Sequence, residues 1–487
     1  MAAPAVSRLL RILSVTTRGT GSGAERVAWN LFDGYRARGH GSWLAVGTRD
    51  TNDPDVFEIP NDAGRTAWSR LWLSASRPLL RRENRDRWAK PLRLLLAGIG
   101  DPARAAAQLL GHEDFHYPGT RRLLELPPER PGIVHAHNLH GGYFDLRRLP
   151  EISRRVPVVL TLHDAWLFSG HCAHSFECER WRTGCGRCPD LTIYPAVARD
   201  ATASNFCRKG RIYARSALYV AVPSRWLATR LADSMLAPAA RECRVIPNGV
   251  HLETFTPGDR GSARQRLGLP REPLILLFAA NTILNNPWKD FRTLRHALAK
   301  AAESFSGRPL LLLALGENAP PEMAGNAEIR FLPYQHDDSL VATYYRAADL
   351  YVHAAHSETF PNTVLEALAC GIPVVASAVG GVLEQVRGLG LTGADPAQSA
   401  RGEAEATGTL VPPADPVALA AALVALGGDP ELRRRLGENA ARDARARFDQ
   451  NTQVETYLDW FREILKETAH SDEKPASTAA TGGRHAG

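Results

Sequence analysis

The sequence lacks the features of a membrane-spanning, fibrous or disulfide-stabilised protein. Its 487 residues contain seven cysteines, an odd number that does not suit a disulfide framework. Its longest apolar runs, such as 274–280 and 309–315, are far shorter than the ~18–20 residues that span a bilayer. The glycines and prolines follow no three-residue period, which excludes a collagen-like fibre. Arg8 and Arg11 interrupt the N-terminal apolar stretch and no signal-peptide core follows, so we expect a cytoplasmic protein.

The sequence has only a small excess of positive charge, and that excess is unevenly distributed along the chain. The formal net charge of +7 permits an anionic partner without naming one. Residues 65–93 hold nine Arg or Lys against two acids, together with Trp68, Trp72 and Trp88. This basic stretch is either a solvated helical cap or a surface that docks on the anionic inner face of a membrane. We favour peripheral membrane contact, and nothing indicates a nucleic-acid partner.

An alternation of strand, turn and helix begins near the N-terminus. Residues 9–15 are strand-like, a glycine-containing turn follows at 16–23, and apolar residues then recur at helical spacing from 24 to 35. The pattern restarts after Pro247, Asn248 and Gly249, which form a strong turn signal. Strands that alternate with helices predict parallel sheets covered on both faces.

The chain is about three times as long as a typical single domain, so we predict an α/β fold of two doubly wound, Rossmann-like domains with a cleft between them. The predicted divisions are an N-terminal, acceptor-side domain at 1–250, with a helical insertion at about 60–128 and a Cys-rich loop at 164–195; a C-terminal, donor-binding domain at 251–447; a helix at 448–469 that returns to the N-terminal domain; and a disordered tail at 470–487.

The first glycine turn has the form of a dinucleotide-binding fingerprint. Gly19, Gly21 and Ala24 follow a strand and open a helix, where small residues let the backbone approach a ligand and the helix N-terminus favours anions. A nicotinamide site would also need an acid about 20 residues further on, and Asp50 comes late for that role. A turn required only for strand–helix packing is the alternative, and the turn alone does not decide between them.

The stretch 356–377 holds two glutamates eight positions apart. Glu358 lies in the loop after a predicted strand, and Glu366 lies one turn inside the following helix. The start of that helix presents free N–H groups and a positive dipole end, so a diphosphate placed there would lie between the two carboxylates. Carboxylates accept hydrogen bonds from hydroxyl groups, which suits a nucleotide sugar with one Glu on each sugar ring. A solvated helix with two unrelated acids is the alternative.

The surroundings of these glutamates closely resemble the nucleotide-sugar site of retaining glycosyltransferase family 4, and the chain is similar to exopolysaccharide transferases of the colanic-acid type. The resemblance covers roughly residues 9–467 and implies the two-domain GT-B fold. It is carried by short stretches in family order: Gly21 to Arg26, Leu162 to Asp164, Val222 to Ser224, Pro247 to Val250, Glu358 to Glu366, Gly380 with Gly381, and Gly408 to Val411.

The resemblance implies roles for residues on the donor side. Glu366 matches the position that binds the ribose hydroxyls of the donor, and Glu358 matches the one that contacts the transferred sugar. Lys289 matches a lysine that pairs with the donor phosphates. The segment whose backbone amides would meet the sugar and the diphosphate comprises Thr359, Phe360, Pro361, Asn362 and Thr363.

The resemblance also implies roles for residues on the acceptor side of the cleft. It places His163 beside the transferred sugar and the acceptor, so His163 and Glu358 are the predicted catalytic residues. Gly21 and Gly23 would approach the donor phosphates or the acceptor. A packing role is the alternative for His163, because a single histidine at a strand end is usually structural.

One expected cation is missing from the sequence. The family usually has Gly-Arg shortly before the lysine, whereas this chain has no arginine in 278–282. Arg225 and Arg292 are candidates for the missing charge. GT-B enzymes stabilise the leaving diphosphate with basic residues and a helix dipole, so we expect no catalytic metal and no required cofactor beyond the nucleotide sugar as co-substrate.

Four cysteines lie close together in the Cys-rich loop. They are Cys172, Cys178, Cys185 and Cys188. The last two have the spacing of a zinc knuckle, and four thiolates would complete a structural zinc site. Redox-labile disulfides and free thiols are the alternatives. A metal here would shape the acceptor side and take no part in the reaction.

The combined prediction is a metal-independent, hexosyltransferase-type enzyme. It would transfer a sugar, with retention of configuration, from a nucleoside diphosphate sugar to a saccharide or lipid-linked saccharide in surface polysaccharide biosynthesis. Two alternatives remain open: a catalytically silent subunit that binds sugar nucleotides, and a GT-B epimerase that would release free nucleotide and an epimerised sugar.

Overall fold

The computed structural model describes residues 9–472 apart from residues 22, 81, 83–85, 306 and 391–399. Two β-sheets with helices on both faces account for most of this part of the chain. The predicted tail lies outside the described residues from 473 onward, and 470–472 belong to the last helix. No helix among the described residues is long and apolar enough to cross a membrane.

The strands of the N-terminal sheet are β1 (Arg11–Arg18), β2 (Gly41–Thr48), β3 (Val56–Glu58), β4 (Ile133–Ala136), β5 (Val158–Thr161), β6 (Leu218–Val222) and β7 (Ala240–Val245). The strands of the C-terminal sheet are β8 (Leu274–Ala279), β9 (Leu310–Leu315), β10 (Glu322–Ala324), β11 (Ala327–Leu332), β12 (Leu350–His353), β13 (Val374–Ser377), β14 (Gly388–Leu389), β15 (Ala400–Arg401) and β16 (Gly408–Val411).

The helices are α1 (Ala24–Ala37), α2 (Ala67–Leu80), α3 (Ala89–Gly100), α4 (Pro102–Leu109), α5 (Leu149–Arg155), α6 (Thr202–Tyr213), α7 (Arg225–Ala232), α8 (Arg260–Arg266), α9 (Phe291–Ala302), α10 (Asp338–Ala347), α11 (Asn362–Ala369), α12 (Val382–Gln385), α13 (Pro416–Gly428), α14 (Pro430–Arg447) and α15 (Gln450–Asp472).

The N-terminal sheet is parallel throughout, with the strand order β3-β2-β1-β4-β5-β6-β7. The order reverses direction between β1 and β4, which pair with Leu13 opposite Val134. In open α/β sheets, ligands bind outside the carboxyl ends of the strands at such a switch point. The glycine turn after β1 and the histidines after β4 and β5 lie at this edge.

The C-terminal sheet has the order β10-β11-β9-β8-β12-β13-β16-β14-β15. Its pairings are parallel except for the antiparallel hairpin β10–β11, which the sequence analysis did not predict. Its switch point lies between β8 and β12, whose following loops carry Lys289 and Glu358. All residues of β8 are buried, as expected of a parallel strand covered on both faces.

The last helix, α15, packs against the N-terminal sheet and not against the C-terminal one. Tyr457, Trp460 and Phe461 are fully buried in a cluster that includes residues of β1 and α1. The indole N–H of Trp460 also donates a hydrogen bond of 2.7 Å to Glu242 of β7. The chain therefore crosses between the two sheets twice, once before α8 and once after α14.

The two crossings are hydrogen-bonded to each other. The backbone N–H of Val250 donates to the carbonyl of Phe448 at 2.8 Å, and the N–H of Gln450 donates to the carbonyl of Val250 at 3.2 Å. A Cβ at Gly249 would come within 2.6 Å of the Cα of Gln450, so glycine permits this close approach.

The basic insertion is mostly helical, as predicted, and forms a group of three helices, α2, α3 and α4. Trp68 and Trp72 pack edge to face, and the Trp68 indole N–H donates to the carbonyl of Ile99 at 2.9 Å. The group leaves many large apolar side chains at its surface: Trp68, Leu71, Leu80, Trp88, Leu92, Leu94, Leu95 and Leu109.

Candidate active site

A cavity of about 140 Å³, here called the central cavity, lies between the carboxyl edges of the two sheets. One wall comes from the turn before α1, the end of β5 and the Cys-rich loop, and the other from the segment between β12 and α11. The lining residues are Gly23, Ala24, His163, His174, Pro223, Asn248, Glu358, Thr359, Phe360, Pro361 and Asn362. Residues predicted from distant parts of the sequence therefore meet in one place.

Lys289 and Glu358 are in direct contact at one side of this cavity. The Lys289 ammonium bonds to Oε1 of Glu358, and Nε2 of His353 lies 3.1 Å from the same oxygen. Burial acts to raise the pKa of Glu358, but the Lys289 ammonium and His353 outweigh it and hold that pKa far below its usual range. Glu358 is therefore a carboxylate at neutral pH.

Backbone pairing between two loops brings Lys289 to this position. Lys289 and Ala355 form an isolated antiparallel bridge, and the N–H of His356 donates to the carbonyl of Trp288 at 2.9 Å. The N–H of Asp290 donates to the carbonyl of Ala354 at 3.0 Å. The loops that follow β8 and β12 are thus joined just before Glu358.

Glu366 is buried on the second turn of α11, behind the cavity lining. The phenol O–H of Tyr345 donates to its Oε2 at 2.8 Å. Burial raises the pKa of Glu366, while the guanidinium of Arg26 and the hydrogen bond from Tyr345 oppose that rise. The same phenol oxygen lies 3.0 Å from the carbonyl oxygen of Thr363, so its single hydrogen is shared between the two acceptors near the start of α11.

His163 belongs to a stacked group of histidines at the end of the N-terminal sheet. Its Nε2 lies 3.0 Å from Nδ1 of His137, with the rings 5.3 Å apart and nearly parallel. His137 in turn packs on His135, whose ring centroid is 4.4 Å away. Burial lowers the pKa of His163 to about 4. A neutral imidazole therefore faces the central cavity at physiological pH.

Asp164 turns away from the cavity and holds another histidine. Its Oδ2 lies 2.7 Å from Nε2 of His140, and its Oδ1 accepts a bond of 2.9 Å from the backbone N–H of Trp166. Although burial acts to raise it, the pKa of Asp164 lies below its usual value because of His140 and these hydrogen bonds. The carboxylate fixes the backbone that positions His163.

The segment between Glu358 and α11 rests on two glycines that could not be replaced without displacement. A Cβ at Gly380 would lie 1.8 Å from the carbonyl oxygen of Glu358, and one at Gly381 would lie 2.0 Å from that of Thr359. The Asn248 amide adds support from the first crossing by donating to the carbonyl of Phe360 at 3.2 Å. The two glycines and the Asn248 amide together fix the backbone of the predicted donor segment.

Some predicted site residues stand apart from the cavity lining. Gly21 lies in the same turn as Gly23, but a Cβ there would meet the Cβ of Glu25 at 2.9 Å. Arg225 and Arg292, the candidates for the missing cation, are both exposed. The backbone N–H of Arg225 donates to Glu384 at 2.9 Å, across to the other sheet.

Sequence reasoning missed several residues that shape the site. Arg26 of α1 forms an ion pair with Asp338 of α10 and so joins the two sides of the cleft. His353 and Tyr345 hold the two predicted donor glutamates. Arg26 and Asn248 lie in stretches that carry the family resemblance, but no role at the site was assigned to them, and no local pattern marked His353 or Tyr345.

The four cysteines of the Cys-rich loop are free thiols. Burial raises the pKa of Cys172 to about 12 and that of Cys185 to about 11, which favours the protonated forms. Within the part of the chain that the structure describes, no group of three or more His, Cys, Asp or Glu side chains is placed to hold a metal ion. We derive no role for a metal from this arrangement, and a structural zinc at these four cysteines stays a prediction.

Two family models match this chain. The model described as glycosyltransferase family 4 matches residues 21–254, and the model described as glycosyl transferases group 1 matches residues 259–443. The two matches follow one another along the chain and correspond to the two sheets.

Named relatives match parts of the chain. A D-inositol 3-phosphate glycosyltransferase of Actinosynnema mirum is 42% identical over 164 residues, which is 31% of this chain and 38% of that protein. The colanic acid biosynthesis glycosyl transferase WcaC of Escherichia coli is 26% identical over 259 residues, or 51% of this chain and 60% of that protein. The chain thus spans about half the length of the relatives it matches.

Solved structures show the same fold over nearly the whole chain. A sucrose-phosphate synthase from Thermosynechococcus elongatus has a TM-score of 0.58 at 18% identity and covers 94% of this chain and 100% of its own. HepE of Anabaena, in complex with UDP-glucose, has a TM-score of 0.55 at 18% identity, covering 95% of this chain and 100% of its own. The two doubly wound sheets and the likeness to these structures show the GT-B fold.

The family follows from the matched models together with this fold. The chain belongs to the GT-B glycosyltransferases of family 4 type.

Proposed function

We propose that this protein transfers a hexosyl-type sugar from a nucleoside diphosphate sugar to a saccharide or lipid-linked saccharide acceptor, with retention of configuration, in surface polysaccharide biosynthesis. The observation that supports this best is the shared location of His163, Glu358 and the start of α11 around one cavity, with Lys289 bonded to Glu358. A helix N-terminus and a lysine suit a diphosphate, and a carboxylate suits sugar hydroxyls.

In this proposal the donor diphosphate lies between the N-terminus of α11 and Lys289. Glu366 binds the ribose hydroxyls, and Glu358 contacts the transferred sugar. The bond between the anomeric carbon and the diphosphate breaks while the acceptor oxygen bonds to the same face of that carbon. The acceptor proton passes to the leaving phosphate oxygen. The neutral ring of His163 hydrogen-bonds at the reacting sugar, and closure of the cleft excludes water.

A substitution at Glu366 tests the donor site. Glu366→Ala should weaken donor binding and lower the rate roughly 10–1000-fold, using ~1.4 kcal/mol per decade. Glu366→Gln keeps an oxygen that accepts the hydrogen bond from Tyr345 but removes the negative charge. Comparing it with Glu366→Ala therefore separates the effect of losing the charge from the effect of losing the side chain. Glu438→Ala on the exposed face of α14 is the matched control, and Tm reports on folding. Unchanged transfer by the Ala variant would remove Glu366 from the donor site.

The product mixture distinguishes this function from the two alternatives. After a thermal-shift screen of nucleotides has identified the donor base, transfer yields a new glycoside whose anomeric configuration NMR reports. A silent binding subunit would bind nucleotide without consuming donor. An epimerase would release free nucleotide and an epimerised sugar without an acceptor.

We also propose that the helix group α2–α4 contacts an anionic membrane surface. Trp68 and Trp88 are more than half exposed, beside exposed basic residues such as Arg70 and Arg87, and this combination favours a lipid interface. Sedimentation with anionic vesicles should carry the protein down at low salt and release it at high salt. Sedimentation that is independent of anionic lipid would refute the contact.

A further inference from the structure

A second and much larger cavity lies in the N-terminal half of the molecule. Its volume is about 1270 Å³, above the usual range of about 300–1,000 Å³ for small-molecule sites. Helices α3 and α4 form one wall, and residues 139–144 and 194–198 form the other. Its walls are mainly apolar and include Leu94, Leu95, Ile99, Leu109 and Phe144. We call it the apolar cavity.

The inner end of the apolar cavity adjoins the candidate active site. His140 lines this end, and its Nε2 lies 2.7 Å from Asp164, the neighbour of His163. Tyr194, which also lines it, packs edge to face on the ring of His140 at 5.5 Å and on that of Trp288 at 6.4 Å. The cavity therefore ends behind the residues where an acceptor must meet the transferred sugar.

The outer end of the apolar cavity reaches the exposed face of the helix group α2–α4. Leu95 and Leu109 line the cavity and are 59% and 67% exposed. Lys90, which is exposed, lines the same end. Apolar side chains beside a cation suit the anionic surface and the alkyl interior of a lipid layer. The cavity thus extends from a surface suited to lipid to residues that adjoin the candidate active site.

From this geometry we infer that the apolar cavity binds the alkyl chain of a lipid-linked saccharide acceptor, with the saccharide directed toward His163. The inference rests on the proposed transferase function and specifies its acceptor. A free saccharide would need many hydroxyl partners along its whole length, whereas most of this lining is apolar and its polar residues, such as Gln108 and His140, are few. An alkyl chain matches them, since each buried methylene is stabilised by about 0.8 kcal/mol.

A binding assay with simple alkyl phosphates tests the inference without any transfer reaction. Dodecyl, octyl and butyl phosphate, each below its micelle threshold, are titrated into the full chain by calorimetry. Affinity should rise by up to about fourfold for each added methylene. Affinity that does not depend on chain length would overturn the inference.

A substitution on α4 locates the binding in this cavity. Ala105 lines the apolar cavity, so Ala105→Trp should narrow it and lower dodecyl phosphate affinity at least tenfold. Ala103→Trp is the matched control, because Ala103 lies on the same helix, is exposed and does not line this cavity. Equal affinities in the two variants would place the chain elsewhere and overturn the inference.

Nucleotide binding separates this inference from the proposed function. The nucleotide identified by the thermal-shift screen should raise the Tm of Ala105→Trp by the same amount as it raises the Tm of the unsubstituted protein. Nucleotide binding without a chain-length effect refutes the lipid acceptor alone. A chain-length effect without binding of any nucleotide refutes the transferase proposal, and with it the assignment of the chain as an acceptor.

Discussion

At the scale of single residues, the pair formed by Lys289 and Glu358 determines the charge at the centre of the candidate site. A buried carboxylate is costly unless it is paired, and here an ammonium and a histidine both contact the same oxygen. A donor diphosphate would attract the same ammonium. We therefore expect Lys289 to be shared between the protein carboxylate and the phosphates.

Removing the ammonium should change both donor binding and the ionisation of Glu358. In Lys289→Met, burial is opposed by His353 alone, so the pKa of Glu358 should rise. Because the ionised form is then lost at higher pH, the acidic limb of the kcat/KM profile should move to higher pH. Loss of the charge-assisted contact should weaken donor binding about 10–150-fold, from ~1.5–3 kcal/mol.

Lys300→Met provides the control for this prediction. Lys300 is exposed near the end of α9, and its replacement should leave both the pH profile and donor affinity unchanged. An acidic limb that stays in place in Lys289→Met would show that Lys289 does not control Glu358.

Single residues also mark the limit of the sequence analysis. Glu358, Glu366 and Lys289 could be selected because each belongs to a recognisable stretch. Arg26 also belongs to such a stretch, but its relation to Glu366, like that of Tyr345, arises only when α1 and α10 converge on α11. Arg26 lies more than 300 residues from Glu366 and Tyr345 lies 21 residues from it, and neither separation leaves a local pattern in one sequence.

At the scale of elements, the turn between β13 and α12 supports the predicted donor segment. A Cβ at Gly381 would lie 2.0 Å from the carbonyl oxygen of Thr359, so Gly381→Ala must displace that backbone. We expect a cost of about 1–3 kcal/mol in stability, as for other overpacked sites, and weaker donor binding. Urea unfolding and nucleotide titration measure the two effects.

Gly428→Ala is the matched control for this turn. A Cβ there meets nothing within 4 Å, and Gly428 ends α13 away from the cavity. The Gly428→Ala variant should be as stable as the unsubstituted protein or slightly more stable, because alanine is a better helix former than glycine. If Gly381→Ala bound donor as tightly as Gly428→Ala, the turn would not control the donor segment.

Elements differed in how well the sequence predicted them. Helix α9 shows what the sequence can predict, because Asp290 caps its start and its apolar residues recur at helical spacing. Strand β10 was missed because it is three residues long and pairs within a local hairpin. The burial of residues along β7 alternates, and a search for continuous apolar runs does not detect such a strand.

At the scale of the whole molecule, the buried histidines make stability depend on pH. Burial lowers the pKa of His135 to about 3 and that of His163 to about 4, and lowers that of His137 well below its usual value. In the unfolded chain each would bind a proton near pH ~6.5. The unfolded state therefore binds more protons, and the free energy of unfolding should decrease as pH falls from about 6.5 toward 4.

Urea unfolding at several pH values across this range measures the effect. In His163→Asn one of the three groups no longer titrates, so the decrease in unfolding free energy with falling pH should be less steep. The asparagine can retain a hydrogen bond to His137. Equal slopes for the two proteins would contradict a depressed pKa of His163.

The two paired crossings between the sheets constrain how the molecule can open. Val250 forms backbone hydrogen bonds with both Phe448 and Gln450, so the two connections lie side by side and form a single hinge. Two domains that are joined by a single hinge can rotate about it, but they cannot slide past each other or separate. The gap between the sheets should therefore widen with distance from these crossings, and the ion pair between Arg26 and Asp338, which bridges the gap, must lengthen or break when it does.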